Sequence, residues 1–330
     1  MTFPTEPGSI AKEIEDYVKD IPEARLVLNI QSHVTHGYVG NKASTFPLQM
    51  LDWEVDVLNT VNLSNHTGYG SFEGRAATKE ELLEIYKGLK RIDVKYDALI
   101  TGYAGGAETL EAVGEICVDI KKSQENGKKV TWMLDPVMGD EGVLYVDEDV
   151  IPVYRKLLES QLVDIITPNQ YELELIVDHK INCLNSLIEA MDLCHERYNV
   201  EHIVLSSLYA DSFDDLEGGP DTFYCCISSR SRREHMVLYR IDKMYGYFTG
   251  VGDMFTALLL DRITKTDDIT LATNEVLSVM RRVLRVTSKL SNGSGSINNS
   301  NMKDCELRVV ECKHLYASRC TDYKPILLNK

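Results

Sequence analysis

Residues 25–41 read RLVLNIQSHVTHGYVGN. An apolar run from Arg25 to Ile30 passes directly into a loop of small polar residues, histidines and glycines. Such a run, bounded by turn residues, reads as a strand of a buried sheet. The same pattern recurs at Val55 to Val61, Ala98 to Gly102, Val130 to Asp135, Asp164 to Thr167 and His202 to Ser206. Helical stretches such as the one bearing Leu82, Ile85, Tyr86 and Leu89 alternate with these runs. That alternation predicts an α/β fold, a three-layer α/β/α sandwich on a mostly parallel central sheet. FYCCISS and MVLYRID, separated by a turn bearing Arg230, Arg232 and Arg233, predict an antiparallel hairpin at one edge.

Ligands of open parallel sheets bind at the carboxyl ends of the strands. After the six strands in turn come QSHVTHGYVGN, NLSNHTGYG, TGYAGG, DPVMGD, TPNQYE and SSLY, and glycines, hydroxyls and carboxylates concentrate there. Further along, FTGVGDMFTALLL sets Gly250 and Gly252 before an apolar helix. Free amides and the positive end of that helix converge on one spot, an anion site. Asp253 is either the N-cap of that helix or a base beside a phosphate cradle. Neither G-x-G-x-x-G nor G-x-x-x-x-G-K-[ST] occurs there, which disfavours a dinucleotide dehydrogenase and a P-loop ATPase.

The chain has 330 residues, 44% hydrophobic and 26% charged, so it can bury a sizeable core. Its 35 Lys and Arg against 51 Asp and Glu give a net charge of -16. Such a field repels a phosphate backbone and argues against nucleic-acid binding. An anionic ligand must be met locally, by amides, a metal or a few cations. No apolar run is long enough for a membrane span, and the acidic N-terminus lacks a signal-peptide core, so an intracellular protein with reduced cysteines is expected. His33 and His36 read as loop residues, with no third ligand close by. Residues 1–24 read as an N-terminal extension, 25–330 as a single domain, 291–301 as a flexible Ser/Asn-rich loop, and ELRVVEC as one last strand.

Taken together, QSHVTHGYVGNKASTFPLQ, VNLSNHTGYG, LITGY, DPVMGD, ITPNQYELELI and GVGDMF resemble the pyridoxal kinases of the ribokinase-like superfamily, over roughly residues 25 to 315. The resemblance implies transfer of the ATP γ-phosphoryl group to the 5′-hydroxymethyl of pyridoxal, pyridoxine or pyridoxamine. It further implies Mg²⁺ or another divalent cation, a monovalent cation such as K⁺, a homodimer, and a cytoplasmic location with the nucleus as an alternative. Carried over motif by motif, Ser32 and Thr67 meet the polar groups of the vitamer ring, and Val61 and Tyr103 form its walls. Asp135 and Glu172 belong to the metal, while Asp135, Asp140, Asn169, Ser206 and Ser207 belong to ATP and its phosphates. Tyr145 lies in a loop that closes over ATP, and Met244 to Gly246 match the stretch near adenine. Gly250, Val251 and Gly252 supply the cradle, and Asp253 is the base that also touches the substrate hydroxyl. Taken singly, Ser32 and Thr67 would read as turn residues and Glu172 as a first-turn helix acid.

Two departures from the family pattern stand out. Val251 replaces the usual Thr, and the loop after DPVMGD, from Glu141 to Tyr145, is shorter than in some relatives. A hydroxymethylpyrimidine or other small-alcohol kinase of the same superfamily is the alternative enzyme. A catalytically weak vitamer-binding or regulatory homologue is the alternative outside catalysis.

Overall fold

The computed structural model describes residues 8–19, 21, 23–124, 129–210, 213, 216–244, 248–291, 303 and 306–329. Its elements, in chain order, begin with α1 (Gly8–Lys19), β1 (Arg25–Val34), α2 (Asn41–Gln49), β2 (Trp53–Leu63), β3 (Gly74–Ala76), α3 (Lys79–Arg91) and β4 (Ala98–Thr101). Next come α4 (Ala107–Lys122), β5 (Thr131–Leu134), β6 (Gly139–Asp140), β7 (Val143–Leu144), α5 (Val150–Leu158), β8 (Ile165–Ile166), α6 (Gln170–Val177) and α7 (Leu184–Tyr198). The chain continues through β9 (His202–Tyr209), β10 (Thr222–Ser229), β11 (His235–Asp242), α8 (Val251–Thr266), α9 (Ile269–Leu290) and β12 (Ile326–Asn329).

The main sheet runs β12-β11-β10-β9-β8-β5-β4-β1-β2-β3, with β6 and β7 forming a separate hairpin. The pairs from β2 through β1, β4, β5 and β8 to β9 are parallel, whereas β10, β11, β12 and β3 pair antiparallel. The expected hairpin is β10–β11. Its Arg230 and Arg233 are spent on surface ion pairs with Glu201 and Glu196.

Alternation along the strands feeds two cores. Leu28, Ile30, Leu99, Trp132, Leu134, Ile166 and Leu205 pack under α3 to α7. Val27, Ala98, Ile100, Met133, Ile165 and Val204 face α2, α8 and α9. β1 departs from a wholly apolar strand, because Asn29 and Gln31 are buried on the α2 side. Asn29 Nδ2 donates to Ser44 Oγ at 2.6 Å, and Gln31 Nε2 donates to Asn29 Oδ1 at 2.7 Å. A buried amide is tolerated when it is bonded in this way. Among the described cysteines, all free thiols, 117, 194, 225, 226 and 312 are buried packing residues.

Two expectations about the C-terminus are corrected. ELRVVEC is not a strand: Glu306 makes a single parallel bridge to Thr249 and the chain then turns. The Arg308 N–H goes to Thr287 Oγ1 and the Cys312 N–H to Arg308 O, so no ladder forms, while Leu307, Val309 and Cys312 are buried in the α8–α9 core. The last strand is β12, which pairs Ile326 to Asn329 with β11. In the expected N-terminal extension, α1 is an amphipathic helix with Ile10, Ile14, Tyr17 and Val18 exposed. Most of the Ser/Asn tract, 292–301, lies outside the described residues. No helix among the described residues is long and apolar enough to cross a membrane.

Candidate active site

Backbone bonds across the sheet bring the strand-end motifs side by side. Gly102 N donates to Ile30 O, Asp135 N to Thr101 O, Thr167 N to Leu134 O and Ser206 N to Pro168 O, all at 2.8 to 3.1 Å. Segments far apart in sequence therefore share one edge of the fold. Three of the strands run further than their apolar runs suggest. β1 continues to Val34, placing Ser32 within the strand, and β2 continues to Leu63. Between the pairs Gln31↔Asn59 and His33↔Asn62, β2 carries one extra residue, a bulge at Thr60 and Val61. Both are buried there, and Thr60 Oγ1 donates to Tyr103 O at 2.6 Å, joining the two segments expected to wall the ring. Likewise β9 runs to Tyr209, and its pairing steps from Leu205↔Cys226 to Leu208↔Tyr224, so Ser206 and Ser207 form a second bulge inside the strand. Bulges of this kind re-aim side chains next to sites.

Asp253 is not the N-cap of α8. Gly250 holds that position at φ 79°, and Asp253 is the third residue of the helix. Its Oδ2 accepts the Gly40 N–H at 2.7 Å, across 213 residues of sequence. Burial pushes its pKa up to about 6, against the pull of the Gly40 and Asp253 N–H groups. Asp135 is buried at the end of β5, and a Cβ on Gly252 would come within 3.3 Å of its Oδ2. Burial, then the charges of Glu172 and Asp253, hold the Asp135 carboxyl well above its usual range, with a bond to Thr167 opposing them. Thr167 Oγ1 also lies 3.2 Å from Thr256 Oγ1, tying β8 to α8.

Glu172 and Asn169 form a reciprocal capping box on α6. Glu172 Oε2 accepts the Asn169 N–H at 2.9 Å and Oε1 the Met138 N–H at 3.0 Å. Asn169 Nδ2 donates to Gly139 O at 2.7 Å, which fastens the β6–β7 hairpin to the helix. The first-turn reading of Glu172 therefore holds structurally, while burial still lifts its pKa to about 8. Asp140, on β6, accepts the Tyr209 hydroxyl at 3.2 Å and the Glu141 N–H at 2.9 Å.

Tyr103 and Tyr145 line a shared cleft of about 300 Å³ with Gly105, Gly106, Leu144, Val146 and Asp147. Met244 lines another, of about 330 Å³, with Arg285, Val286, Ser288 and Lys289, whereas Tyr245 and Gly246 lie outside the described residues. Thr67 is exposed in a single 3-10 turn (Thr67–Tyr69), capped by His66 Nδ1 rather than by its own hydroxyl. Gly40, Thr256 and Glu306 were not singled out by any motif. Gly40 could have been suspected as one of the glycines of the first loop, but its partner Asp253 is remote in sequence.

No group of three or more His, Cys, Asp or Glu side chains among the described residues forms a metal cage. The donor chemistry nevertheless fits a divalent cation. Asp135 and Glu172 are buried acids whose charges raise each other's cost, and Mg²⁺ prefers a few carboxylates with nucleotide oxygens and water.

Gly250 illustrates how tightly the cradle is built. A Cβ there would collide with the Tyr38 carbonyl oxygen, and its φ is +79°. Gly70, at φ +89°, has nothing within 4 Å of an added Cβ. Left-handed backbone alone costs an L-residue about 1–2 kcal/mol. Gly70→Ala is expected to lose that much and Gly250→Ala clearly more; equal denaturation midpoints would contradict the packing described.

With this geometry in view, the comparisons with known proteins are specific. Residues 72–298 match the family model described as phosphomethylpyrimidine kinase. The chain is 38% identical to bovine (Bos taurus) pyridoxal kinase over 305 residues, covering 87% of this chain and 93% of the relative. It is also 38% identical to human (Homo sapiens) pyridoxal kinase, with the same coverage of 87% and 93%. The solved structure of Leishmania donovani pyridoxal kinase in complex with ADP and pyridoxine superposes with a TM-score of 0.81 at 34% identity, covering 92% of this chain and 99% of that one. Fold and site together define a small-molecule kinase of the ribokinase-like class. Within it, the chain belongs to the pyridoxal kinase family.

Proposed function

We propose that the chain transfers the γ-phosphoryl group of ATP to the 5′-hydroxymethyl of pyridoxal, pyridoxine or pyridoxamine. The observation that carries this reading is the half-buried Asp253 carboxylate, held by Gly40 at the N-terminus of α8 and next to Asp135 and Gly252. Phosphoryl transfer needs positioning and charge stabilisation, with the attacking hydroxyl deprotonated by a placed carboxylate. Asp253 takes that proton. The Gly250, Val251 and Gly252 amides, unpaired within the helix, face the charge on the moving phosphoryl oxygens. Val251 is the first residue of α8 and packs on the core below, so the amide that a Thr would also have offered is retained.

Ser32 and Thr67 would meet the ring's polar groups, and Val61 and Tyr103 its faces, the mix a flat, partly polar ligand needs. Asp140, Asn169, Ser206 and Ser207 flank the phosphates on the β6–β7, α6 and β9 side, with Tyr145 over them and Met244 toward adenine. Asp135, with Glu172 behind it, would hold a divalent cation, which neutralises phosphate charge when bound. K⁺ as the monovalent cation, a homodimer and an intracellular location complete the proposal. Because the matched family model is that of phosphomethylpyrimidine kinase, hydroxymethylpyrimidine is the competing substrate. Comparing kcat/KM for pyridoxal and hydroxymethylpyrimidine with MgATP separates the two: the proposal requires preference for pyridoxal, and the reverse preference overturns it.

A further inference from the structure

Glu306 opens the C-terminal segment ELRVVEC, outside every strand-end motif, yet it touches three loops of the site. Its backbone bridges Thr249, the residue before the Gly250 cradle. Its carboxylate accepts the hydroxyl of Tyr69, which closes the turn containing Thr67. The same carboxylate occupies the space a side chain at Gly37 would need, in the loop after β1, where φ is +96°. Glu306 is 8% exposed. Burying a carboxylate is costly unless it is bonded and balanced by charge. Here burial pushes its pKa up while Lys42 and Arg308 pull it down. An apolar residue would cover the same loops at less cost, so the placement of an acid at their junction calls for a role that packing does not supply.

We propose that Glu306 is a positioning residue for the vitamer: through Tyr69 it fixes the Thr67 turn against the Gly37 loop and the segment leading to Asp253. This rests on the reading of the site as a B6-vitamer kinase. Thr67 itself is exposed and its turn spans three residues, so the turn's own bonds do little to fix its distance from Ser32 and Asp253. The turn is otherwise held by local bonds, such as Asn65 Nδ2 to Ser71 O at 2.8 Å. Among the described residues, the bond from Tyr69 to Glu306 crosses to a distant part of the chain.

The test is steady-state kinetics on wild type, Tyr69→Phe, Glu306→Ala, the double variant and Glu306→Gln. Loss of one charge-assisted hydrogen bond that orients substrate is expected to raise the KM for pyridoxal about tenfold in Tyr69→Phe and in Glu306→Ala. The KM for ATP should stay near wild type, and the double variant should be no worse than either single one. Glu306→Gln keeps an acceptor for Tyr69 and should restore most of the pyridoxal KM. If Glu306→Ala fails to fold, Tyr69→Phe decides alone, since it removes only a hydroxyl. An unchanged pyridoxal KM in Tyr69→Phe, with wild type active on pyridoxal, overturns the positioning role and leaves the kinase reading intact. Wild type inactive on every B6 vitamer overturns both.

Discussion

Asp253→Asn is expected to lower kcat for ATP-dependent pyridoxal phosphorylation by about 10²- to 10⁴-fold, the range of a placed general base. The substitution preserves shape and leaves an oxygen to accept the Gly40 N–H, so the loss reports the missing base rather than a rearranged loop. Thermal stability should move the other way. The folded carboxyl sits at about 6 against an ordinary 3.8, raised by burial. A carboxylic acid with a raised folded pKa binds its proton more tightly in the fold, so stability falls as pH rises from about 3.8 to about 6. Above that window the half-buried charge costs at most about 3 kcal/mol. Asn abolishes the cost. The variant should melt higher than wild type at pH 8, and the gap should close below pH 4. In wild type, kcat/KM should drop toward acid with an apparent pKa near 6. Retained turnover in Asp253→Asn would remove the base from the account.

The second large effect concerns the acids beside it. Burial, then the charges of Glu172 and Asp253, push the Asp135 carboxyl well above its usual range, and Glu172 is lifted to about 8 by burial. Both folded values lie above the ordinary ones. Each acid therefore weakens the fold as pH rises through its window, and a divalent cation that needs them ionised competes with their protons. Adding Mg²⁺ with ATP is expected to raise the melting temperature, more at pH 8 than at pH 6. Asp135→Asn should erase most of that increase and reduce kcat/KM for MgATP at least about 100-fold, as expected for loss of a charge stabiliser in a buried site. Equal Mg²⁺ shifts in wild type and variant, measured by melting curves, would contradict the assignment.

The parallel half of the sheet was legible because its strands are buried on both faces and their apolar runs stand out against polar loops. Where the strands stop was less legible. β1, β2 and β9 run on through Ser32, Asn62 and Ser207, because hydrogen bonding to a neighbour, past a bulge, outweighs the polar side chains there. ELRVVEC failed as a strand for the opposite reason: Leu307, Val309 and Cys312 are claimed by the α8–α9 core, and the Arg308 and Cys312 amides bond to Thr287 and to Arg308. In the site, the helix N-terminus could be read from GVGD alone, since glycines before an apolar helix announce one whatever the fold. That pattern leaves Asp253 as either its N-cap or a base, and the structure gives the cap to Gly250. The bond of Asp253 to Gly40 and the approach of Glu306 to Tyr69 could not be read. They join loops more than 200 residues apart, and no local pattern encodes such a meeting.

The most direct measurement is the formation of pyridoxal 5′-phosphate by the purified wild-type chain with pyridoxal, ATP, Mg²⁺ and K⁺. The account predicts product that requires ATP, disappears when the divalent cation is chelated and is lost in Asp253→Asn. A folded protein that binds ATP and pyridoxal yet forms no pyridoxal 5′-phosphate would contradict it.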